Sequence, residues 1–152
     1  MKIQLARIDQ SDLVAQGVYD LLSELFPAEA ANYPLAKLQK AAFQGLRPDG
    51  GLWSLLAFNE QEQMVGMLNL SRCVAIYAGG EFGEITEMYV RPDYRSQKIG
   101  EQLIARAKRF AQEKAWPVLE VGAPDVPRCQ RTVDFYQANG FAMVGPRLEL
   151  SL

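Results

Sequence analysis

The chain has 152 residues, 49% of them hydrophobic and 22% charged, with a formal net charge of −2. This mix describes one soluble globular domain with a sizeable core; it excludes a disordered chain and offers no basic field for nucleic acid. Histidine is absent, which excludes His-based triads and most zinc sites and leaves acid–base work to Glu, Asp, Tyr, Lys or Cys.

Met1 to Arg7 lacks the apolar stretch and small-residue cleavage site of a secretory signal. No apolar run approaches membrane-spanning length, so a cytoplasmic location without membrane contact is expected. Lys2 to Ile8 alternates apolar and polar residues and predicts a first strand. Leu13 to Phe26 carries Leu13, Val14, Val18, Leu21, Leu22 and Leu25 at helical spacing, and Pro27 stops the helix. Pro34 to Phe43 predicts a second helix, with Pro34 near its start and Gly45 beyond its end. Pro48-Asp49-Gly50-Gly51 is a turn. Leu52 to Phe58 and Met64 to Val74 read as a strand pair joined by a polar turn.

After Ala78-Gly79-Gly80 comes the segment richest in chemistry, Glu84 to Gly100. It predicts a strand bearing Glu84 and Glu87, a short basic loop, and a helix starting near Ile99. A helix N-terminus offers unpaired N–H groups and partial positive charge, which suits a phosphate. A proton acceptor beside an anion cradle suggests transfer chemistry on a phosphate-bearing cofactor. Strict alternation puts Glu84 and Glu87 on opposite faces of the strand unless a bulge intervenes.

Ile99 to Lys114 is strongly amphipathic and predicts a helix. Val118 to Val121 predicts a short strand. Arg128 to Asn139 predicts a helix closed by Gly140, and Phe141 to Val144 with Arg147 to Leu152 a final strand pair around Gly145-Pro146. Cys73 and Cys129 are far apart and form no CxxC pair, so reduced thiols are expected. No metal site is expected. The order is β-α-α-β-β-β-α-β-α-β-β, a mixed α/β sheet with helices on both faces. Neither a linker nor a repeat divides it, so residues 1 to 152 read as a single domain.

Two motifs carry a family resemblance. Met88-Tyr89-Val90-Arg91-Pro92 followed by Tyr94-Arg95-Ser96-Gln97-Lys98-Ile99-Gly100 resembles the acetyl-CoA signature of the GNAT N-acetyltransferase superfamily. Phe135-Tyr136-Gln137-Ala138-Asn139-Gly140-Phe141 resembles that family's C-terminal tyrosine motif. The resemblance covers about residues 1 to 150 and is weakest before Leu52. It implies the GNAT fold, with a single N-acetyltransferase domain spanning 1–152. Many members carry glycine where this chain has Ser96 and Lys98, Gly or Ala at Gln102, and Asn at Cys129.

The resemblance implies an acyltransferase that moves an acetyl group from acetyl-CoA, used as co-substrate without a metal, to a primary amine by direct attack in a ternary complex. The pyrophosphate would rest on Arg95, Ser96, Gln97, Lys98, Ile99, Gly100 and Glu101. The pantetheine arm would run along Met88, Tyr89 and Val90, with the Met88 N–H toward the thioester carbonyl and Cys129 near the arm. Glu84 and Glu87 are the candidate bases. Tyr136 matches the family's general acid. The acceptor would be a small-molecule or peptide amine, with no nucleic-acid partner, and a homodimer stays open. The alternative is a non-catalytic acyl-CoA-binding or sensor module.

Overall fold

The computed structural model describes residues 1–123 and 127–152. The elements run β1 (Lys2–Leu5), α1 (Ser11–Leu25), α2 (Leu35–Gly45), β2 (Leu52–Phe58), β3 (Met64–Ala75), β4 (Gly80–Val90), α3 (Ile99–Glu113), β5 (Leu119–Val121) and α4 (Gln130–Ala138), with short 3-10 turns between some of them. The five strands form one sheet in chain order. Neighbours are antiparallel except β4 and β5, which are parallel and joined through α3. This is the mixed α/β architecture with helices on both faces that the order of elements implied.

The apolar patterns decide which face each helix covers. On one face, Ile99, Leu103, Ile104, Ala107, Phe110 and Ala111 of α3 pack with Leu55, Leu68, Leu70 and Ile85 of the sheet, and Tyr136 of α4 joins them. On the other, Val14 and Ala15 of α1 and Ala42 of α2 pack with Leu56, Met67 and Tyr89. Leu55 and Leu56 thus serve opposite cores, as neighbours on a strand must. Leu103 and Ile104 are wholly buried, and each such side chain stabilises the fold by roughly 1.5–3 kcal/mol.

Two features of β4 position the site. Its pairing with β5 covers only Gly83 to Ile85, against Leu119 to Val121. From Thr86 to Val90 it therefore pairs with β3 alone. Its register with β3 also slips: Leu70 faces Ile85 while Asn69 faces Glu87, leaving Thr86 as the extra residue of a bulge. The bulge restores Glu84 and Glu87 to the same face, which strict alternation would have denied.

The final strand pair expected at Phe141 to Val144 and Arg147 to Leu152 is not formed; these residues carry no strand. Their alternation is strand-like, but Pro146 has no N–H to give a ladder. Val144, Leu148 and Leu150 are each more than four-fifths exposed, so no core selects a register. Other differences are small. The first strand stops at Leu5: the Ala6 amide makes one last ladder bond, to Ser54 O, and the chain then turns at Ile8 to Gln10. The second helix runs on to Gly45 rather than ending at Phe43.

Candidate active site

The loop between β4 and α3 is held in an unusual shape. Ser96 and Lys98 have φ of +62° and +60°, the left-handed region that costs a side-chain-bearing residue about 1–2 kcal/mol. These are two of the positions where the resemblance expects glycine. The backbone therefore keeps the glycine geometry without the glycines. Lys98 is the N-cap of α3, and no side chain caps that end. The N–H groups of the first turn stay available to an anion.

Glycine should relieve this strain. Ser96→Gly and Lys98→Gly are each expected to raise the unfolding free energy by a few tenths to about 1 kcal/mol, since the left-handed penalty outweighs glycine's added chain entropy. Urea unfolding checks this through a higher midpoint at unchanged slope; a lower midpoint would refute it.

Gly100 is where three elements meet. A Cβ there would lie 3.0 Å from Phe135 Cζ and 4.0 Å from Met88 Cε. The first turn of α3, the end of β4 and α4 therefore converge at this residue. Both sequence motifs are brought to one place, which neither could show alone. Ile99 is buried, while Ser96, Gln97, Lys98 and Glu101 are exposed. A cleft of about 380 Å³ runs beside the loop, lined by Tyr94, Gln97, Ile99 and Gln102 on one side and Asn59 and Val65 on the other. It is not lined by Glu84, Glu87 or Tyr136.

The backbone of β4 settles which amides face away from β3. The Arg91 amide donates to Val65 O at 3.0 Å. Successive amides alternate sides, so the Met88 amide points the other way, toward the side where β5 has already ended. The Val90 carbonyl lies on that side too, where it accepts from Arg95 Nε at 2.9 Å.

Arg95 does not extend toward the cradle. Its guanidinium grips Glu24 of α1 through two bonds of 2.8 and 2.7 Å and lies 5.9 Å over the Tyr89 ring. That hydrogen-bonded pairing lowers the Glu24 carboxyl below its ordinary range and raises the Arg95 guanidinium. Tyr89 is buried in the core beneath α1 and α2, so only its backbone can face a ligand arm. Gln97 reaches back to Asp93 O at 3.4 Å.

The two glutamates share a face but not a setting. Glu84 is ion-paired with Arg147, which reaches it from the C-terminal segment, and accepts from Cys73 Sγ at 3.6 Å. Burial first, and the Glu84 charge second, push the Cys73 thiol up from its ordinary value. Glu87 takes both its bonds on one oxygen: Asn69 Nδ2 at 3.0 Å and Thr86 Oγ1 at 2.5 Å both donate to Oε2. Among the described residues, Oε1 accepts no hydrogen bond. Asn69 and Thr86 are functional candidates that the motifs do not reveal, although a polar residue inside the run Leu68-Asn69-Leu70 was a visible signal. Arg147 and Glu24 left no signal at all, since each partner is more than sixty residues away.

Tyr136 lies on the other face of the sheet, in the α3 core, 8% exposed. Phe135 and Phe141 meet its ring edge-on at 5.5 Å. Burial pushes its phenol up to about 12. Cys129 is the half-buried N-cap residue of α4. Among the described residues, no group of three or more Cys, Asp or Glu is arranged to hold a metal, and no helix is long and apolar enough to cross a membrane.

A mixed sheet whose fourth and fifth strands part beside an uncapped helix N-terminus defines an acyltransferase-like α/β protein. The chain belongs to the acetyltransferase (GNAT) family, whose model matches residues 15–141. The fold is similar to that of a ribosomal-protein-alanine N-acetyltransferase from Brucella melitensis biovar Abortus 2308, with 21% identity, TM-score 0.75 and 100% of each chain covered. It is also similar to a possible acetyltransferase from Clostridium difficile 630, with 17% identity, TM-score 0.80, and 99% of this chain and 97% of that one covered. A third likeness is to the aminoglycoside acetyltransferase meta-AAC0020 from an uncultured soil metagenomic sample, with 21% identity, TM-score 0.75, and 99% and 94% covered. No curated protein matches the sequence.

Proposed function

We propose that the protein is an acetyl-CoA-dependent N-acetyltransferase that transfers the acetyl group directly to a primary amine, with Glu87 as base and Tyr136 as proton donor. The observation that carries this is the parting of β4 from β5 after Ile85, with a carboxylate on one face of β4 and a phenol on the other. Each reactant has its own side, and the gap between the strands joins them.

Acetyl-CoA, when bound, supplies an activated thioester. The residues fit such a ligand. Uncapped amides at Ile99 and Gly100, with the exposed Lys98 beside them, suit its pyrophosphate. The Met88 amide is free to donate to the thioester oxygen, where negative charge develops during attack. A free primary amine is mostly protonated near neutral pH, so it must lose a proton first. Glu87 offers Oε1 for that while Oε2 is held. Glu84 is the poorer base because Arg147 already occupies it. Tyr136 is fully protonated at neutral pH and can give its hydrogen bond to the leaving sulfur. Full transfer from a phenol near 12 suits only a thiolate desolvated in the same pocket, since an ordinary thiol titrates near about 8.5. We place the enzyme in the cytoplasm as one domain.

The reading is tested by incubating the protein with acetyl-CoA and a panel of amines: polyamines, amino acids, aminoglycosides and peptide N-termini. CoA release that depends on an amine is expected. Acetyl-CoA binding without turnover across the panel would favour the sensor module instead, and no binding would remove both readings.

A further inference from the structure

A row of polar side chains crosses the sheet beneath α1 and α2. Ser54 of β2 is the cross-strand partner of Asn69 of β3, and Asn69 is the partner of Glu87 of β4. Directly opposed residues on antiparallel strands share a face, so the three side chains stand side by side. Ser54 is 0% exposed and Asn69 2% exposed, and on their face of the sheet the neighbouring Leu56 and Met67 are wholly buried. Ser54 Oγ and Asn69 Oδ1 have no hydrogen-bond partner among the described residues. Burying an amide with half its bonding unmet is unfavourable, and an aliphatic side chain would suit this strand better. A function is the physical reason for a sequence to keep it.

The one bond Asn69 makes is to the carboxylate. Its Nδ2 donates to Glu87 Oε2 from a side chain that the surrounding core prevents from swinging. Thr86, the bulge residue, donates to the same oxygen. Two donors on one carboxylate oxygen fix the rotation of the group and leave the other oxygen to take a proton.

We propose that Asn69 is a positioning residue for Glu87: it acts from the buried side of the sheet to hold Oε2, with Thr86 as its surface counterpart, so that Oε1 meets the acceptor amine. This rests on the reading of Glu87 as the base. It is a role for β3 that neither sequence motif covers.

The test is Asn69→Leu, alone and with Glu87→Gln, assayed for amine-dependent CoA release, acetyl-CoA affinity and thermal midpoint. Asn69→Leu is expected to lower kcat by about ten- to a hundredfold, the factor matching a hydrogen bond to a charged group. Acetyl-CoA affinity should not change, and the thermal midpoint should hold or rise. In the Glu87→Gln background the same substitution should have no further effect, since the group it positions is gone. Asn69→Ser, smaller and still a donor, should lose less and serves if the leucine variant does not fold. Unchanged kcat in Asn69→Leu, an equal loss in both backgrounds, or a midpoint lowered by several degrees would each overturn the proposal while leaving the acetyltransferase reading intact. Wild type that turns over no amine, or Glu87→Gln as active as wild type, would remove the reading of the base and the proposal with it.

Discussion

Glu87→Gln is expected to lower kcat/KM for the amine by about 10²- to 10⁴-fold, the range a positioned general base supplies. Glutamine keeps the size of the side chain and an oxygen for Asn69 to bond, so the sheet should be undisturbed. It removes the one capability the proposed mechanism asks of this side chain, which is to take a proton. Acetyl-CoA affinity should be unchanged, because Glu87 shares its face with α1 and α2 while the cradle at Gly100 packs with the α3 and α4 side. Glu84→Gln is the control. It releases Arg147 and loosens the C-terminal segment, and should cost less than about tenfold in kcat/KM, since it takes away no group that the proposed reaction uses as a base. Steady-state kinetics on both variants decide the assignment. A large loss in Glu84→Gln with a small one in Glu87→Gln would exchange their roles.

Tyr136→Phe is expected to lower kcat by about a hundredfold, at the modest end of proton-donor effects, with KM for acetyl-CoA little changed. Phenylalanine keeps the edge-on contacts with Phe135 and Phe141, so the loss would belong to the hydroxyl. The same variant has a second readout. Burial raises the phenol from its ordinary 10 to about 12, so the folded protein holds this proton more tightly than the unfolded chain does. The stabilisation is fully present below pH 10 and is lost as pH rises through 12. Two pH units correspond to about 3 kcal/mol. Between about pH 9.5 and 12, wild type should therefore lose about that much more stability than Tyr136→Phe, measured by urea unfolding at each pH. Equal alkaline losses would mean that the hydroxyl is solvated. In the kinetics, no alkaline limb below about pH 11 should come from this tyrosine.

Much of the molecule was legible in local sequence because local physics decides it. The apolar spacing of Ile99 to Ala111 is a helix in any context that buries one face. Leu52 to Phe58 is too dense in buried aliphatic residues to be a surface loop. The family motifs are contiguous stretches, so the residues alone point to the loop from Arg95 to Glu101 and to Tyr136 as candidates. The C-terminal strands misled for the opposite reason. Alternation states what a segment could do if a neighbour offered a ladder, and the exposed Val144 and Leu148 have none here.

The sequence by itself determined the mixed α/β order, the lack of histidine, the two candidate glutamates and the two motifs that resemble those of an acetyltransferase. Only the tertiary structure decided how they are arranged. The bulge at Thr86 puts both glutamates on one face. Arg147 occupies Glu84, and Asn69 with Thr86 holds one oxygen of Glu87. Arg95 is turned to Glu24, and the left-handed backbone at Ser96 and Lys98 preserves a glycine-type loop. Apart from the bond of Thr86 to its neighbour and the local backbone at Ser96 and Lys98, these are contacts between residues far apart in the chain, or one slipped residue in a register. Both are set by packing across the whole sheet, and no local pattern encodes them.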